Sequence, residues 1–227
     1  MSDSKNIPVE KAEHNEVVDK VTGFWQQNGK NLLIALGALV LIIAGIIGYK
    51  EFVSEPGNQK SNEALFRAES YFRMDSLQLA LNGDAINPGF VKIIDKYSGT
   101  PAANLAKFYA GASYLKLGDY KNAEKYLKDF STDAQQINAR AKSLLADAYA
   151  EQGKKEEAAG LYLQAGKLFE KDDFNSPDYL FKAGYLYESI GKKKEAVDAY
   201  KLIKEKYPRS ERGFEVEKYL ARLGETE

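Results

Sequence analysis

The stretch GASYLKLGDYKNAEKYL, residues 111–127, returns twice, as ADAYAEQGKKEEAAGLY at 146–162 and GYLYESIGKKKEAVDAY at 184–200. The copies align on Gly118, Gly153 and Gly191. Each then has a tyrosine four residues earlier (Tyr114, Tyr149, Tyr187) and a small residue seven earlier (Gly111, Ala146, Gly184). An alanine follows five residues later (Ala123, Ala158, Ala196), and Leu127, Tyr162 or Tyr200 nine later. The pattern reads as two antiparallel helices per copy. Small residues let the helix backbones approach, and the tyrosine ring fills the space one turn on. Glycine takes the left-handed conformation that ends the first helix. Each helix pair leaves an apolar face open, so successive pairs must stack to bury it.

From Ser61 onward Ala, Leu, Lys, Glu and Tyr dominate, and no run alternates as a strand does. A degenerate first copy, ALFRAESYFRMDSLQLAL, keeps Ala68, Tyr71 and Ala80 in phase, with Asp75 at the turn. The insertion NGDAINPG follows it, then FVKIIDKYSGTPAAN. After Pro208, SERGFEVEKYLARLG reads as a capping helix from Ser210 to Gly224.

These repeats resemble the tetratricopeptide repeat, a helix–turn–helix of about 34 residues. The likeness covers roughly Ala102 to Leu223. It departs from the pattern at the consensus tryptophan, replaced by Lys107, Lys142 and Leu180, and at the closing proline. That proline is present only as Pro208, with Gln135 and Glu170 at the other two places. The turn glycines are 35 (153 minus 118) and 38 (191 minus 153) residues apart. The longer interval is absorbed by DDFNSP, where Ser176 is expected to cap and Pro177 to open the next helix. The resemblance implies an all-α solenoid whose first helices line a concave groove. Carried over by position, that groove holds Leu65 and Phe72, then Leu105, Phe108 and Leu115. It continues with Arg140, Ser143 and Asp147, then Phe181, Tyr185 and Glu188. Mixed aromatic and charged residues suit extended or unfolded polypeptide. The other expectation is that several of these rings pack beneath the insertion or the N-terminal helix.

Ahead of the repeats lies LLIALGALVLIIAGIIGY, residues 32–49, with no charge between Lys30 and Lys50. As a helix these residues span roughly 27 Å, about one hydrocarbon core. One segment cannot close a barrel, so a single transmembrane helix in a lipid bilayer is expected. The acidic leader before it and the lack of a small-x-small cleavage site argue against a removable signal peptide. Residues 1–15 are expected to form a disordered cytoplasmic tail. Residues 16–31 read as an amphipathic juxtamembrane helix, with Val17, Val18, Val21, Phe24 and Trp25 on one face. It serves either as an interfacial aromatic anchor or as a partner-binding helix. Gly37, Ala44 and Gly48 share one stripe of the span, which permits close helix packing. Pro56-Gly57 marks a linker over 50–60, leaving 61–227 as the repeat domain with its capping helix. Lys20 and Lys30 balance Lys50 and Lys60, so flanking charge does not set the orientation.

Lys plus Arg number 32 and Asp plus Glu 33, an interleaved balance with no nucleic-acid footprint. There are no cysteines and a single histidine, His14. Disulfides, thiolate chemistry, cysteine zinc sites and lipoprotein acylation are thereby excluded. A histidine-based triad or metal cluster in the repeats is excluded too. No phosphate-loop motif occurs, Asp172-Asp173 and Lys192–Lys194 read as solvated, and neither an enzyme nor a cofactor is expected.

A second resemblance rests on Phe24-Trp25-Gln26-Gln27-Asn28-Gly29-Lys30, followed by a glycine-containing span, an aromatic exit and the repeats. This order is similar to the YfgM family, ancillary subunits of the bacterial Sec translocon. The insertion Gly83–Gly89 and the tyrosine-rich repeats resemble versions from Bacteroidota. The resemblance implies a cytoplasmic N-terminus, a single pass through the inner membrane and a periplasmic repeat domain. It also implies association with the SecYEG channel and a PpiD-like periplasmic chaperone, receiving nascent or unfolded polypeptides. The alternatives are a membrane-tethered scaffold for envelope assembly or division without nascent-chain contact, and a cytosolic co-chaperone dock. The last needs a basic two-carboxylate clamp, which Arg140 alone does not make.

Overall fold

The computed structural model describes residues 9–51 and 55–225, with side chains from residue 18 onward in that range. The chain divides into two compact units, Met1–Pro56 and Gly57–Glu227.

In the first unit α1 runs unbroken from Val9 to Tyr49. Two expectations change here. The tail expected to be disordered lies outside the described residues up to residue 8, but is helical from Val9. The apolar run pays the nucleation cost, so a helix propagates into neighbours of good propensity. The juxtamembrane helix and the span are also one element. Gly29 does not break it: its missing Cβ would sit 3.4 Å from the Trp25 indole, which lies along that turn. Val18–Tyr49 is long and apolar enough to cross a membrane. At roughly 48 Å it exceeds a hydrocarbon core of about 30 Å.

In the second unit helices pair in sequence: α2 (Glu55–Arg73), α3 (Leu77–Asn82), α4 (Phe90–Lys96), α5 (Pro101–Lys116), α6 (Tyr120–Lys128), α7 (Gln135–Glu151), α8 (Lys155–Leu168), α9 (Asn175–Ser189), α10 (Lys193–Lys206) and α11 (Glu211–Arg222). Among the described residues there is no strand, only an isolated bridge between Gly83 and Pro88. Helix α2 begins six residues earlier than expected, taking in Pro56 and Gly57. Proline is tolerated in a first turn because its missing N–H has no helical partner there. Residues 55–60 of the expected linker therefore belong to α2, and residues 52–54 lie outside the described residues.

The turn chemistry matches the sequence pattern. Gly118, Gly153 and Gly191 have φ of 77–78°, and Asp75 takes the same role at φ 56°. In each turn the next amide donates to the tyrosine carbonyl: Ser76 to Tyr71, Asp119 to Tyr114, Lys154 to Tyr149 and Lys192 to Tyr187, all at 2.9 Å. This is the closing bond of a Schellman motif. The small residues are small for a packing reason. A Cβ on Gly111 would come within 2.5 Å of Leu127 Cγ, and one on Gly184 within 2.5 Å of the Tyr200 ring.

Ala158 and Ala196 are fully buried, as their phase requires. Ala158→Leu or Ala196→Leu is expected to cost about 1–3 kcal/mol by overpacking. The exposed control Glu157→Leu should stay within about 0.5 kcal/mol. Equal urea midpoints for all three would count against this packing.

One cap differs from expectation. Ser176 does not cap α9; its hydroxyl is buried and donates to the Phe169 carbonyl at 2.9 Å. Asp172 does the capping, accepting from the Asn175 amide at 2.8 Å and from the Phe174 amide at 3.2 Å. Ser210 caps α11 as expected, accepting from Gly213 N, and Gly224 ends it at φ 80°.

Glu124 joins two repeats. It accepts from Lys128 at 2.6 Å on its own helix, and from Lys154 and Gln152 at 2.8 and 2.9 Å in the next turn. Burial alone would raise this carboxyl, but the three donors outweigh it and hold it at about 2. The folded value lies below the ordinary 4.5. Ionised Glu124 thus stabilises the fold above that pH, and the contribution fades as pH falls towards 2. Glu124→Gln should cost about 1–2 kcal/mol at neutral pH and nothing near pH 2. A pH-independent loss in urea titrations would rule out the charge as its source.

Candidate protein-binding face

The first helices of successive repeats, α2, α5, α7 and α9, carry the expected groove positions. The structure sorts those positions into three groups.

The N-terminal group is apolar. Leu65 is buried and belongs to the core with Ala68, Phe90 and Ile93, so it lines no surface. Phe72 is half-buried, edge-on to Tyr109 at 5.3 Å, and Lys116 Nζ lies 5.4 Å from its ring centre. Lys116 reaches across to Asp75 at 2.9 Å. Leu105 packs partly against the same core, and Leu115 against Ala112, Leu127 and Leu144. Phe108 is half-buried, meeting Tyr109 edge-on and Phe130 at a tilt.

The middle group is polar. Arg140 is exposed. Ser143 is fully buried, and its Oγ has no hydrogen-bond partner. Asp147 accepts from the Tyr162 hydroxyl and faces Lys182 Nζ at 3.7 Å. Burial, then the Asp147 charge, push the Tyr162 phenol strongly upward, so it stays a protonated donor.

The C-terminal group is closed by the cap. Phe181 is buried, not open, because α11 covers it. The Arg212 guanidinium sits 4.2 Å from its ring centre, and Tyr219 meets it edge-on at 4.8 Å. Arg212 also pairs with Asp178 at 2.9 Å, and Arg222 with Glu188 at 2.7 Å. Tyr185 remains 56% exposed. Arg212, Tyr219 and Arg222 were not expected on this face. The signal was present: each lies 34 residues after Asp178, Tyr185 and Glu188, the repeat length itself.

The anchor residues Phe24, Trp25, Gly37, Ala44 and Gly48 all lie on α1. Phe24 and Trp25 are each 57% exposed, and a Cβ at Gly37 or Gly48 would meet nothing within 4 Å. The two units thus carry separate candidate surfaces: a stripe on α1 and a face on the repeats. Among the described residues no group of three or more His, Asp or Glu is placed to hold a metal ion.

The family model for the tetratricopeptide repeat-like domain matches residues 22–220. The chain belongs to this family. The match takes in the apolar stretch 32–49 as well as the repeats. No curated protein and no solved structure matches the chain. A tetratricopeptide repeat-like fold is built for protein interaction, because stacked pairs present one continuous face of first helices. In this domain the face is not uniform. Its open part runs from Phe72 through Phe108 and Leu115 to Arg140, and beyond it Tyr185 stands exposed among the chain's own ion pairs.

Proposed function

We propose that the chain is a single-pass inner-membrane protein whose periplasmic repeat domain associates with the SecYEG translocon and a PpiD-like chaperone. It assists secreted or outer-membrane proteins as they emerge. The observation that carries this reading is one polypeptide joining a span-length apolar helix to a face with half-exposed aromatic rings. An extended client offers alternating side chains and unpaired backbone groups. Phe72, Phe108 and Leu115 accept the apolar side chains, and Arg140 accepts a carbonyl or carboxylate. The paired charges Asp178–Arg212 and Glu188–Arg222 keep apolar segments from sliding past α9. Attachment to the channel falls to α1, through Phe24, Trp25 and the stripe of Gly37, Ala44 and Gly48.

The test uses the full chain in membranes, with a photo-crosslinking residue at Arg140. Nascent secretory chains should crosslink there, and Phe108→Ala with Tyr185→Ala should reduce the yield several-fold. Replacing 32–49 by polyleucine should keep the protein in the membrane but lose co-purified Sec subunits. Crosslinks absent from nascent chains, with Sec still recovered, would leave a scaffold without client contact. Full Sec recovery by the polyleucine variant would move attachment to the repeats.

A further inference from the structure

The first helix of a repeat stack has no earlier repeat to cover its outer side. On α2 that side shows Phe66, 60% exposed, with the Arg73 guanidinium 5.7 Å from its ring centre. A cleft of about 650 Å³ opens beside it, its wall including Lys60, Glu63, Phe66, Arg67, Asn87 and Tyr97. Among the described residues Lys60 and Arg67 form no ion pair. Of the described acids nearby only Glu69 is paired with a cation; Glu63 and Asp84 are hydrogen-bonded to neutral donors and keep their charge. Glu69 pairs with Arg73 at 3.3 Å, and Glu63 accepts from Gln59 at 3.4 Å. Asp84 is occupied within the 83–89 loop, accepting from Tyr71 and from the amides of Ile86 and Asn87 at 2.7 and 2.6 Å.

That loop is closely packed against its own backbone. A Cβ on Gly83 would come within 2.2 Å of the Asn87 carbonyl, and one on Gly89 within 2.4 Å of the Leu81 carbonyl. At its tip Ile86 is 88% exposed. A loop that displays a large apolar side chain beside two unpaired cations has the composition of a membrane-surface contact: wedges for the acyl boundary and cations for headgroups.

We propose that this face of the first repeat rests on an anionic phospholipid surface, with Lys60 and Arg67 at the headgroups and Phe66 and Ile86 entering the interface. Chain length favours that occupant. Only residues 50–54 separate α1 from α2, at most about 20 Å of extended chain, so the bilayer is the nearest large partner. The inference rests on the reading of α1 as a membrane span.

The chain has no cysteine, so Ile86→Cys offers a single labelling site. The full chain, carrying an environment-sensitive fluorophore there, is reconstituted into phosphatidylglycerol-containing vesicles with brominated acyl chains. Phe174→Cys, at a position 84% exposed in the polar loop before α9, serves as control. Quenching at residue 86 should exceed that at 174 several-fold. Lys60→Glu with Arg67→Glu should abolish the difference, as should pure phosphatidylcholine vesicles. Equal water exposure at 86 and 174, with the protein still floating with vesicles, overturns the docking and leaves the anchor reading intact. Undiminished quenching in phosphatidylcholine overturns the role of the headgroup charge. Failure to float refutes the anchor reading instead.

Discussion

Tyr200→Ala should cost the repeat domain about 3–5 kcal/mol, the scale of removing a buried aromatic ring. Tyr200 is fully buried, packed against Gly184 and tilted against Phe181 at 5.8 Å and Tyr219 at 5.5 Å. One ring therefore ties α9, α10 and the capping helix α11. The hydroxyl contributes far less. Its bond to Glu188 is long, at 3.3 Å, and Glu188 keeps Arg222 at 2.7 Å. Tyr200→Phe should cost about 1 kcal/mol or less. Urea unfolding followed by circular dichroism separates the two. A Tyr200→Phe loss as large as the alanine loss would mean that the hydrogen bond, not the ring, holds this junction. Since domains are stable by only about 5–15 kcal/mol, the alanine variant should lose a large share of the total.

The other large effect concerns α1. Leu39 and Ile42 lie near the middle of the charge-free stretch and are 52% and 60% exposed. Each arginine at the centre of a span costs about 2.5–3.5 kcal/mol of insertion free energy. Leu39→Arg with Ile42→Arg should therefore cost about 5–7 kcal/mol, enough to move the protein from the carbonate-resistant pellet to the supernatant. Leu39→Ala with Ile42→Ala should stay in the pellet. Resistance of the double arginine variant to carbonate would mean that α1 is not what holds the chain to membranes.

Much was legible in the residues before any coordinates. The repeat phase placed the turn glycines, the buried alanines and even the left-handed Asp75, because a turn that needs positive φ admits few residue types. It placed Gly111 and Gly184 at close approaches for the same kind of reason: no larger side chain fits. The apolar run 32–49 stood out because no charge interrupts it. These are local signals, readable one residue at a time.

What the tertiary structure alone decided was which groove positions are open. Leu65 and Phe181 occupy the same register as Phe108 and Ser143. Whether such a position faces solvent depends on what the neighbouring repeat lays over it. Over Phe181 the neighbour is the capping helix, whose Arg212 and Tyr219 close the C-terminal part of the face. Asp172 likewise replaced Ser176 as a helix cap, since Ser176 sits where α8 leaves room only for a buried hydroxyl bonded to Phe169. Periodicity assigns a side chain to a helix face. Coverage of that face is set by residues 30 or more positions away, through packing that no local pattern records.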